Sequence, residues 1–512
     1  MAEVFLEKYG TRLLVAGPNQ SPLSATLRAR LEPRLGFTEE RYLKGWERAE
    51  AQRQGRPVVE HIWHPLAGAD DEGRLYTAWG FYERVVACLQ KHGVPFQLID
   101  REPPPKPEIY RLHWDRIDQE QLRYGQKEVL QMLERESCGR VECPAGYGKS
   151  FLIALAATAL PECRILVTTK RLPVLATLDA QLRKRLPNVG LISGESKRRQ
   201  GRVLCVSAFS LQHVNPRDFD MLLGDESHEL ATDALAYKLS RFRHQKTFGF
   251  SANQDQRRDG RDAQQEAIFG PVRLRIGYQE AVRERCVTPI AVHWRDVGSP
   301  SQRQDWDDEV ARKRHGLWRN LERNRLIAAD ALHYGPDVQV LVTVDTVEHG
   351  LNLLRELPDF ELVYAAGGGR SRARQEAARV QPMNPMKLHA LRRAFEQGSL
   401  KRAIATTVWS VGVDFRALQI LLRAEGTASA IASTQVPGRT SRLHDGKEQS
   451  VLHDYFDLFN EQLQRNSVAR WREYRRHGWE QNLSPRMRDV LQRLGLLTVV
   501  RGLGAKKRGK SR

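Results

Sequence analysis

The 512-residue sequence predicts an α/β protein with two successive parallel-sheet domains and a small N-terminal α+β domain. Three observations support this fold class. Short apolar runs alternate with helical stretches from about residue 117, a proline-rich stretch at 103–107 precedes them, and a second alternating series begins near residue 290. Short buried strands between helices are typical of a parallel sheet with helices on both faces.

Hydrophobic periodicity places the elements in order. The pattern predicts a helix over 126–134, a strand that ends at residue 143, and a helix that begins after residue 149. The short apolar runs that indicate further buried strands lie at 165–169, 203–207, 221–223 and 247–250 in the first series, and at 338–344, 362–365 and 403–407 in the second.

These patterns divide the chain into five parts, in keeping with about three domains for this length. The parts are an N-terminal accessory domain at 1–102, a proline-rich linker at 103–116, a first sheet domain at 117–290, a second sheet domain at 291–480, and a C-terminal extension with a basic tail at 481–512.

The most informative feature of the composition is the net charge of +19. Such an excess favours a polyanionic partner, most simply nucleic acid with salt-sensitive backbone contacts, whereas a protein kept soluble by its charge is the alternative. Charge does not distinguish DNA from RNA. The last twelve residues carry six basic side chains and no acid, which predicts a disordered tail that either touches phosphate or is merely solvated.

Other features exclude several classes of protein. No apolar run approaches the ~18 residues that cross a bilayer, and the N-terminus lacks a signal sequence, so a cytoplasmic location is expected. The six cysteines include no CxxC pair, so neither a disulfide framework nor a zinc ribbon is predicted.

Residues 143–150, CPAGYGKS, have the composition of a phosphate-binding loop. A glycine-rich turn between a strand and a helix lets backbone N–H groups surround a polyphosphate. Lys149 can then reach the terminal phosphates, and the Ser150 hydroxyl can hold Mg²⁺. Cys143 stands where the simplest GxxxxGK[ST] pattern has glycine. The residues expected to contact the nucleotide here are Pro144, Ala145, Gly146, Tyr147, Gly148, Lys149 and Ser150.

The partner of this loop is the sequence DESH at 225–228, which follows the apolar run at 221–223. At the carboxyl end of a strand, Asp225 is positioned to hold the metal through water, and Glu226 to orient or deprotonate the attacking water. The loop and this acidic pair together predict a nucleotide hydrolase.

Taken in order, the motifs resemble those of the superfamily 2 helicases over about residues 110–480. The stretch at 122–127 looks like the family's glutamine motif, in which Gln126 would read adenine, and 168–171 resembles the segment that grips the nucleic-acid backbone. DESH is then a DExH box, in which His228 would link hydrolysis to domain movement; taken alone, an ordinary core or surface histidine is the alternative. The stretch at 249–253 matches the Ser-Ala-Thr motif through Ser251 and Ala252, with Asn253 in place of threonine. The resemblance implies that Ser251 and Ala252, like His228, couple hydrolysis to domain movement.

The second series continues the resemblance. Residues 406–414 look like motif five, which implies nucleotide contacts for Gly412 and Asp414, although Val411 stands where many relatives carry glutamate. Residues 435–442 fit the QxxGRxxR pattern of motif six. The residues concerned are Gln435, Arg439 and Arg442, and the two arginines would reach the γ-phosphate from the second domain; an ordinary basic helix face is the alternative.

The resemblance implies two RecA-like domains with ATP and Mg²⁺ between them. A guanidinium from the second domain stabilises the transferring phosphoryl group only when the cleft is closed, so hydrolysis is tied to closure.

Looser stretches at 251–260, 268–271, 317–327 and 470–479 are similar to the XPB-like and UvsW-like branch of DNA helicases. This branch implies a DNA motor, working 3′ to 5′ or along duplex, in repair, recombination, or fork and branch remodelling.

In that case residues 1–102 are a possible DNA-binding domain. Its aromatic residues can stack on bases, but the interpretation favoured here is that they form the core. They are Trp46, Trp63, Trp79, Phe81 and Tyr82.

The predicted function is therefore an ATP-dependent DNA helicase or translocase. Alternatives are an RNA helicase of the same superfamily, the motor subunit of a defence or restriction complex, and an ATP-driven clamp that binds without unwinding. Residues 358–361 lack the lysine that a nuclease PD(D/E)xK arrangement requires, so the chain is not expected to cut DNA itself.

Overall fold

The computed structural model describes residues 3–43, 45–103, 106–242, 246–252, 260–298, 309–365, 383–409, 415–428 and 437–497. The chain forms two compact units, Met1–Cys286 and Val287–Arg512. Among the described residues, no helix has both the length and the apolar composition that a bilayer span requires.

The first unit begins with a small α+β region around a five-stranded sheet of order β5-β6-β2-β1-β7. Its elements are β1 (Val4–Tyr9), β2 (Arg12–Ala16), α1 (Ala25–Leu31), β3 (Gly36–Tyr42), α2 (Gly45–Arg53), β4 (Val59–Pro65), β5 (Ala67–Ala69), β6 (Leu75–Ala78), α3 (Tyr82–Lys91) and β7 (Phe96–Asp100). β1 pairs with β7 in parallel, and the other neighbours are antiparallel. β3 and β4 form a separate antiparallel pair.

The rest of the first unit is an eight-stranded sheet of order β11-β10-β12-β9-β13-β14-β8-β15. Its elements are α4 (Gln126–Arg135), β8 (Cys138–Glu142), α5 (Lys149–Ala159), β9 (Ile165–Thr169), α6 (Leu172–Arg183), β10 (Val189–Ile192), β11 (Lys197–Arg198), β12 (Val203–Ser207), β13 (Met221–Asp225), α7 (Asp233–Ser240), β14 (Lys246–Ser251), α8 (Asp262–Phe269), β15 (Val272–Arg275) and α9 (Tyr278–Arg283). Every pair is parallel except β10 with β11.

The second unit has a seven-stranded, all-parallel sheet of order β18-β19-β17-β20-β21-β16-β22. Its elements are β16 (Ile290–Val297), α10 (Glu309–Lys313), α11 (Leu321–Leu332), β17 (Val340–Thr343), α12 (Val347–Leu354), β18 (Glu361–Val363), α13 (Pro385–Glu396), β19 (Arg402–Ala405), β20 (Ile420–Arg423), β21 (Ser450–Asp457), α14 (Glu461–Arg476), β22 (Glu480–Asn482) and α15 (Pro485–Arg493). Two parallel sheets with intervening helices, preceded by a small α+β region, confirm the predicted fold class of tandem RecA-like domains.

The predicted linker is in part packed against the first large sheet. Ile109 and Tyr110 are buried. The Tyr110 hydroxyl donates to the Asp220 carbonyl oxygen at 3.2 Å, and the Lys246 ammonium lies 4.7 Å from the centre of the Tyr110 ring. Residues 104 and 105 lie outside the described residues. The second half of the predicted linker is therefore packed into the first compact unit. The predicted domain boundaries stay predictions.

The N-terminal aromatic residues divide into two groups. Phe81 is fully buried, and Trp79 stacks on Tyr82 with ring centroids 4.6 Å apart, so the core interpretation is right for this group. It is wrong for Trp46 and Trp63, whose exposed fractions are 75% and 44%. The reason is their position, since Trp46 lies in α2 and Trp63 in β4, and no described residue of these two elements belongs to the hydrophobic core of the N-terminal region.

Two arginines in the stretches at 317–327 and 470–479 are buried in the second unit. Arg323 donates Nε to Asp457 at 2.9 Å, and the Arg470 guanidinium binds Asp454 with its closest contact at 2.9 Å. A buried guanidinium requires a paired carboxylate because desolvation of either charge alone costs several kcal/mol. These two arginines therefore hold α11 and α14 against β21.

Candidate active site

The loop at 143–150 joins β8 to α5, as predicted. Gly146 and Gly148 have φ values of 86° and 109°, a region in which only glycine is free of strain. Cys143 is not among the residues with positive φ, and its N–H donates to the Ser251 carbonyl oxygen at 3.1 Å. Glycine is thus not required at position 143, which explains the departure from the simplest loop pattern.

Lys149 and Ser150 form the first turn of α5, where backbone N–H groups attract anions. The Lys149 side chain is buried. The Ser150 hydroxyl donates to Asp225 Oδ2 at 3.0 Å. This contact brings the loop and the end of β13 together across 75 residues of sequence.

Asp225 is buried at the carboxyl end of β13. Burial, followed by the charge of Glu226, raises the pKa of Asp225 to about 6, while Lys149 and the Ser150 hydroxyl act in the opposite direction. A carboxylate and a hydroxyl oxygen in contact form the hard oxygen donor set that Mg²⁺ prefers. Ser150 and Asp225 therefore fit the predicted metal site.

Glu226 has a left-handed backbone, with φ 49° and ψ 49°. Its N–H donates to Asp225 Oδ1 at 2.9 Å. A non-glycine residue in this region is strained by roughly 1–3 kcal/mol, and such strain is concentrated at functional sites. The turn that follows, Ser227–Glu229, is a single 3₁₀ turn. The candidate water-activating carboxylate thus lies on a strained strand-to-turn junction beside Asp225.

His228 is buried between two carboxylates. Its Nδ1 lies 3.6 Å from Glu226 Oε2, and its Nε2 lies 3.9 Å from Glu229 Oε1. Arg171 binds both oxygens of Glu229, with Nε at 2.7 Å from Oε2. The segment at 168–171 is therefore tied to the DESH turn through Glu229, a residue that no sequence motif marked.

The glutamine motif supports the loop from within the same unit. Gln126 Nε2 donates to the Tyr147 carbonyl at 3.3 Å, and its Oε1 accepts from the Arg123 N–H at 3.1 Å. Arg123 also donates to the carbonyls of Gly146, Tyr147 and Cys286, at 3.2, 3.2 and 3.1 Å. Adenine reading by Gln126 stays a prediction. Arg123 lies in the same stretch at 122–127, but its contacts with these three carbonyl oxygens were not predicted.

Ser251 lies beside both halves of the site. Within the sheet it pairs with Glu142, the last residue of β8, and the preceding residue, Phe250, pairs with Asp225. Ala252 follows directly, and Asn253 lies outside the described residues. Residues 249–252 are thus next in the sheet to the phosphate loop and to the acidic pair, and a coupling role for Ser251 and Ala252 stays a prediction.

In the second unit, the structure describes part of motif six. Arg442 follows the short turn Pro437–Arg439, and the Lys447 ammonium donates to the carbonyls of Arg442 and Arg416 at 3.2 and 3.3 Å. Burial lowers the pKa of Arg442 to about 10.

The structure does not describe the side chains of the remaining predicted residues of the second unit. Gln435, Val411, Gly412 and Asp414 lie outside the described residues, as does the side chain of Arg439. Their roles stay predictions.

Residues 119–255 match the family described as Type III restriction enzyme, res subunit. This range includes the glutamine motif, the phosphate loop, DESH and Ser251. No curated protein sequence matches the chain.

Solved structures resemble the chain in fold at low sequence identity. Bacteriophage T4 UvsW is 15% identical, with 94% of this chain and 99% of that chain covered and a TM-score of 0.37. A Saccharomyces cerevisiae Dbp5 variant bound to Gle1 is 12% identical, with 73% and 92% covered and a TM-score of 0.50. The Type ISP restriction-modification enzyme LlaBIII bound to DNA is 12% identical, with 91% and 36% covered and a TM-score of 0.48.

Proposed function

We propose that this chain, a superfamily 2 helicase by its Type III restriction res domain and its two RecA-like sheets, is an ATP-dependent motor that translocates on DNA or remodels it. The observation that carries the proposal is the contact of Ser150 with Asp225 beside the strained Glu226. The phosphate loop, the candidate metal-binding carboxylate of Asp225 and the candidate base Glu226 thus lie together in the first unit.

Each residue of this constellation has a part in phosphoryl transfer. The glycine-rich loop and Lys149 bind the phosphates of ATP, and Ser150 with Asp225 would hold Mg²⁺. When bound, Mg²⁺ supplies positive charge to the β- and γ-phosphate oxygens. Glu226 orients or deprotonates the attacking water, and His228 contacts the same turn, so a change in the turn is transmitted to the buried imidazole.

Movement requires the second sheet domain. We assign Arg439 and Arg442 to the γ-phosphate in the closed state, and Gln435, Gly412 and Asp414 to the same nucleotide. Motif order supports these roles. A guanidinium that meets the phosphoryl group only on closure is worth about 10³–10⁵ in rate where it has been measured, which ties each turnover to a domain movement.

DNA is the nucleic acid on which we propose that the motor acts. The net charge of +19 favours phosphate contacts, which are largely independent of sequence. The stretches at 251–260 and 470–479 resemble DNA helicases that act in repair, recombination or branch processing. An RNA helicase is the first alternative. The res-subunit match at 119–255 favours a second, the motor subunit of a restriction or defence complex.

Steady-state ATP hydrolysis with different nucleic acids tests these functions. We expect single-stranded, duplex or forked DNA to stimulate the rate, with forked DNA strongest and RNA weakest. Phosphate contacts release counterions, so the DNA concentration for half-maximal stimulation should rise at least about 10-fold between about 50 and 200 mM salt. Stimulation by RNA alone would support the RNA helicase. A basal rate unaffected by any nucleic acid would support a motor that requires a partner subunit.

The exposed Trp46 provides a second test. Stacking of one base on an aromatic side chain contributes about 1–3 kcal/mol, so Trp46→Ala should weaken single-stranded DNA binding by about 5-fold or more. Tyr237→Ala, whose parent side chain is 70% exposed in α7, is the matched control. Fluorescence anisotropy with a labelled oligonucleotide measures both. Equal affinity of the two variants would place the DNA-stacking surface elsewhere.

A further inference from the structure

Helix α8 belongs to two hydrophobic cores at once. Ala263 is buried in the N-terminal core and Ala267 packs against it. Phe269, at the other end of the helix, is buried in the core of the large sheet. Positions 263 and 267 share one face of the helix and positions 265 and 269 share another. The helix therefore contacts the N-terminal region with one face and the ATPase sheet with the other.

The N-terminal region is fixed to α8 by close packing and a bidentate ion pair. A Cβ on Gly80 would lie 1.9 Å from the Glu266 carbonyl oxygen, so the two backbones touch and only glycine fits. The Arg84 guanidinium donates Nε and one terminal N–H to the two oxygens of Glu266, each at 2.8 Å. Bidentate pairs of this kind fix orientation as well as distance.

The neighbouring residue, Gln265, binds the DESH turn. Its Nε2 donates to the Ser227 hydroxyl at 2.7 Å, and its Oε1 accepts from Arg140 at 3.3 Å. Gln265 and Ser227 are 2% and 0% exposed. A buried amide with both ends bonded has one favoured orientation, because any rotation leaves a buried polar group without a partner. Ser227 is in turn held in one place by α8.

Ser227 is the residue after the strained Glu226, so its position bears directly on the carboxylate. A Cβ on Gly249 would lie 2.9 Å from Ser227 Cβ, which shows that the turn is packed tightly on β14 as well. A left-handed glutamate persists only where its surroundings fix it. The hydrogen bond from Gln265 is one of those fixing contacts.

We propose that Gln265 is a positioning residue for Glu226, and that α8 transmits nucleic-acid binding by the N-terminal region to the hydrolytic turn. This inference rests on the proposed function. Residues 265 and 266 are adjacent on one helix, and their side chains contact the DESH turn and the N-terminal region respectively. A shift of the N-terminal region therefore moves Ser227 and changes the rate of water attack without changing the phosphate loop.

A double-mutant cycle tests the positioning role. Gln265→Met keeps the side-chain volume and removes the donor, and Ser227→Ala removes the acceptor. We expect kcat to fall at least about 10-fold in each, with KM for ATP within about 2-fold of the parental value, and the double variant to be no slower than either single one. Gln265→Glu should restore much of the rate, because the Ser227 hydroxyl can donate to a carboxylate. Additive losses, or unchanged kcat, would overturn the role of Gln265.

The transmitting role has its own pair of variants. Arg84→Met should leave kcat without nucleic acid within about 2-fold and lower the stimulation by DNA at least about 3-fold. Arg198→Met is the matched control, because Arg198 makes a comparable ion pair with Asp179 at 2.7 Å and has the same 32% side-chain exposure as Arg84. Equal stimulation of the two variants would refute transmission through α8.

Hydrogen exchange separates this proposal from the proposed function. In Gln265→Met, the amides of residues 226–230 should exchange faster than in the parental chain, a result that requires no turnover. Faster exchange in a chain without ATPase activity would overturn the motor assignment and retain the positioning contact. Unchanged exchange in an active chain with unchanged kcat would overturn the positioning role of Gln265 and retain the motor assignment.

Discussion

Replacement of Lys149 with alanine is expected to lower ATP turnover at least about 100-fold, to the background of the assay. Lys149 is the one side chain of the loop whose charge can reach the terminal phosphates, and loss of one fixed group that stabilises transition-state charge costs about 10²–10³ in rate. Folding should be retained, because alanine is the best helix former and the position is the first of α5. Phosphate release and thermal unfolding measure the two quantities.

The control for this variant is Lys184→Ala, at the exposed C-terminal end of α6. It removes the same charge from the same unit and should leave turnover unchanged, so a loss specific to Lys149 is not an effect of net charge. Ordinary turnover in Lys149→Ala would place the phosphate site away from residues 143–150 and remove the main support for the proposed motor.

Glu226→Gln is expected to bind ATP and nucleic acid and to stall before hydrolysis. Glutamine has the shape of glutamate and cannot take a proton from water, and general-base catalysis contributes about 10²–10⁴ in rate. The phosphate loop, Ser150 and Asp225 are unchanged, so ATP affinity should stay within a few fold of the parental value. Single-turnover hydrolysis and equilibrium binding of ATP separate the two effects.

Glu195→Gln, an exposed carboxylate outside the site, is the matched control and should hydrolyse ATP normally. If Glu226→Gln turns over at the parental rate, water activation belongs to another residue. Lys149→Ala and Glu226→Gln should both lose turnover, but for different reasons. Lys149→Ala lacks the charge that contacts the terminal phosphates, whereas Glu226→Gln should still bind ATP and stall before hydrolysis.

Sequence alone was sufficient for features that depend on local order. The strands predicted at 165–169 and 203–207 coincide with β9 and β12, since a parallel strand buried on both faces is a continuous apolar run. The fold class followed from the alternation of such runs with helices. The loop at 143–150 was recognisable because left-handed φ values at positions 146 and 148 require glycine.

Tertiary structure decided the features that depend on distant partners. The sequence marked Ser150 and Asp225 as parts of one site, but only the folded sheet brings the first turn of α5 to the carboxyl end of β13, where the two side chains meet at 3.0 Å. Nothing in the local sequence indicated the left-handed Glu226, because the strain is maintained by neighbours such as Ser227. The exposure of Trp46 and Trp63 could not be predicted either, because the sequence of an element does not show which of its faces another element covers.

The role of α8 shows the physical reason most clearly. Periodicity indicates that a helix has buried faces, but residues 262–267 of α8 lie in none of the stretches that the sequence marked. The Arg84–Glu266 pair joins positions 182 residues apart, and the Gln265–Ser227 bond joins positions 38 apart. A hydrogen bond forms only when donor and acceptor lie within about 3.5 Å in the right orientation. The order of residues determined the elements and the chemistry that they carry, and only the folded chain determined which groups meet.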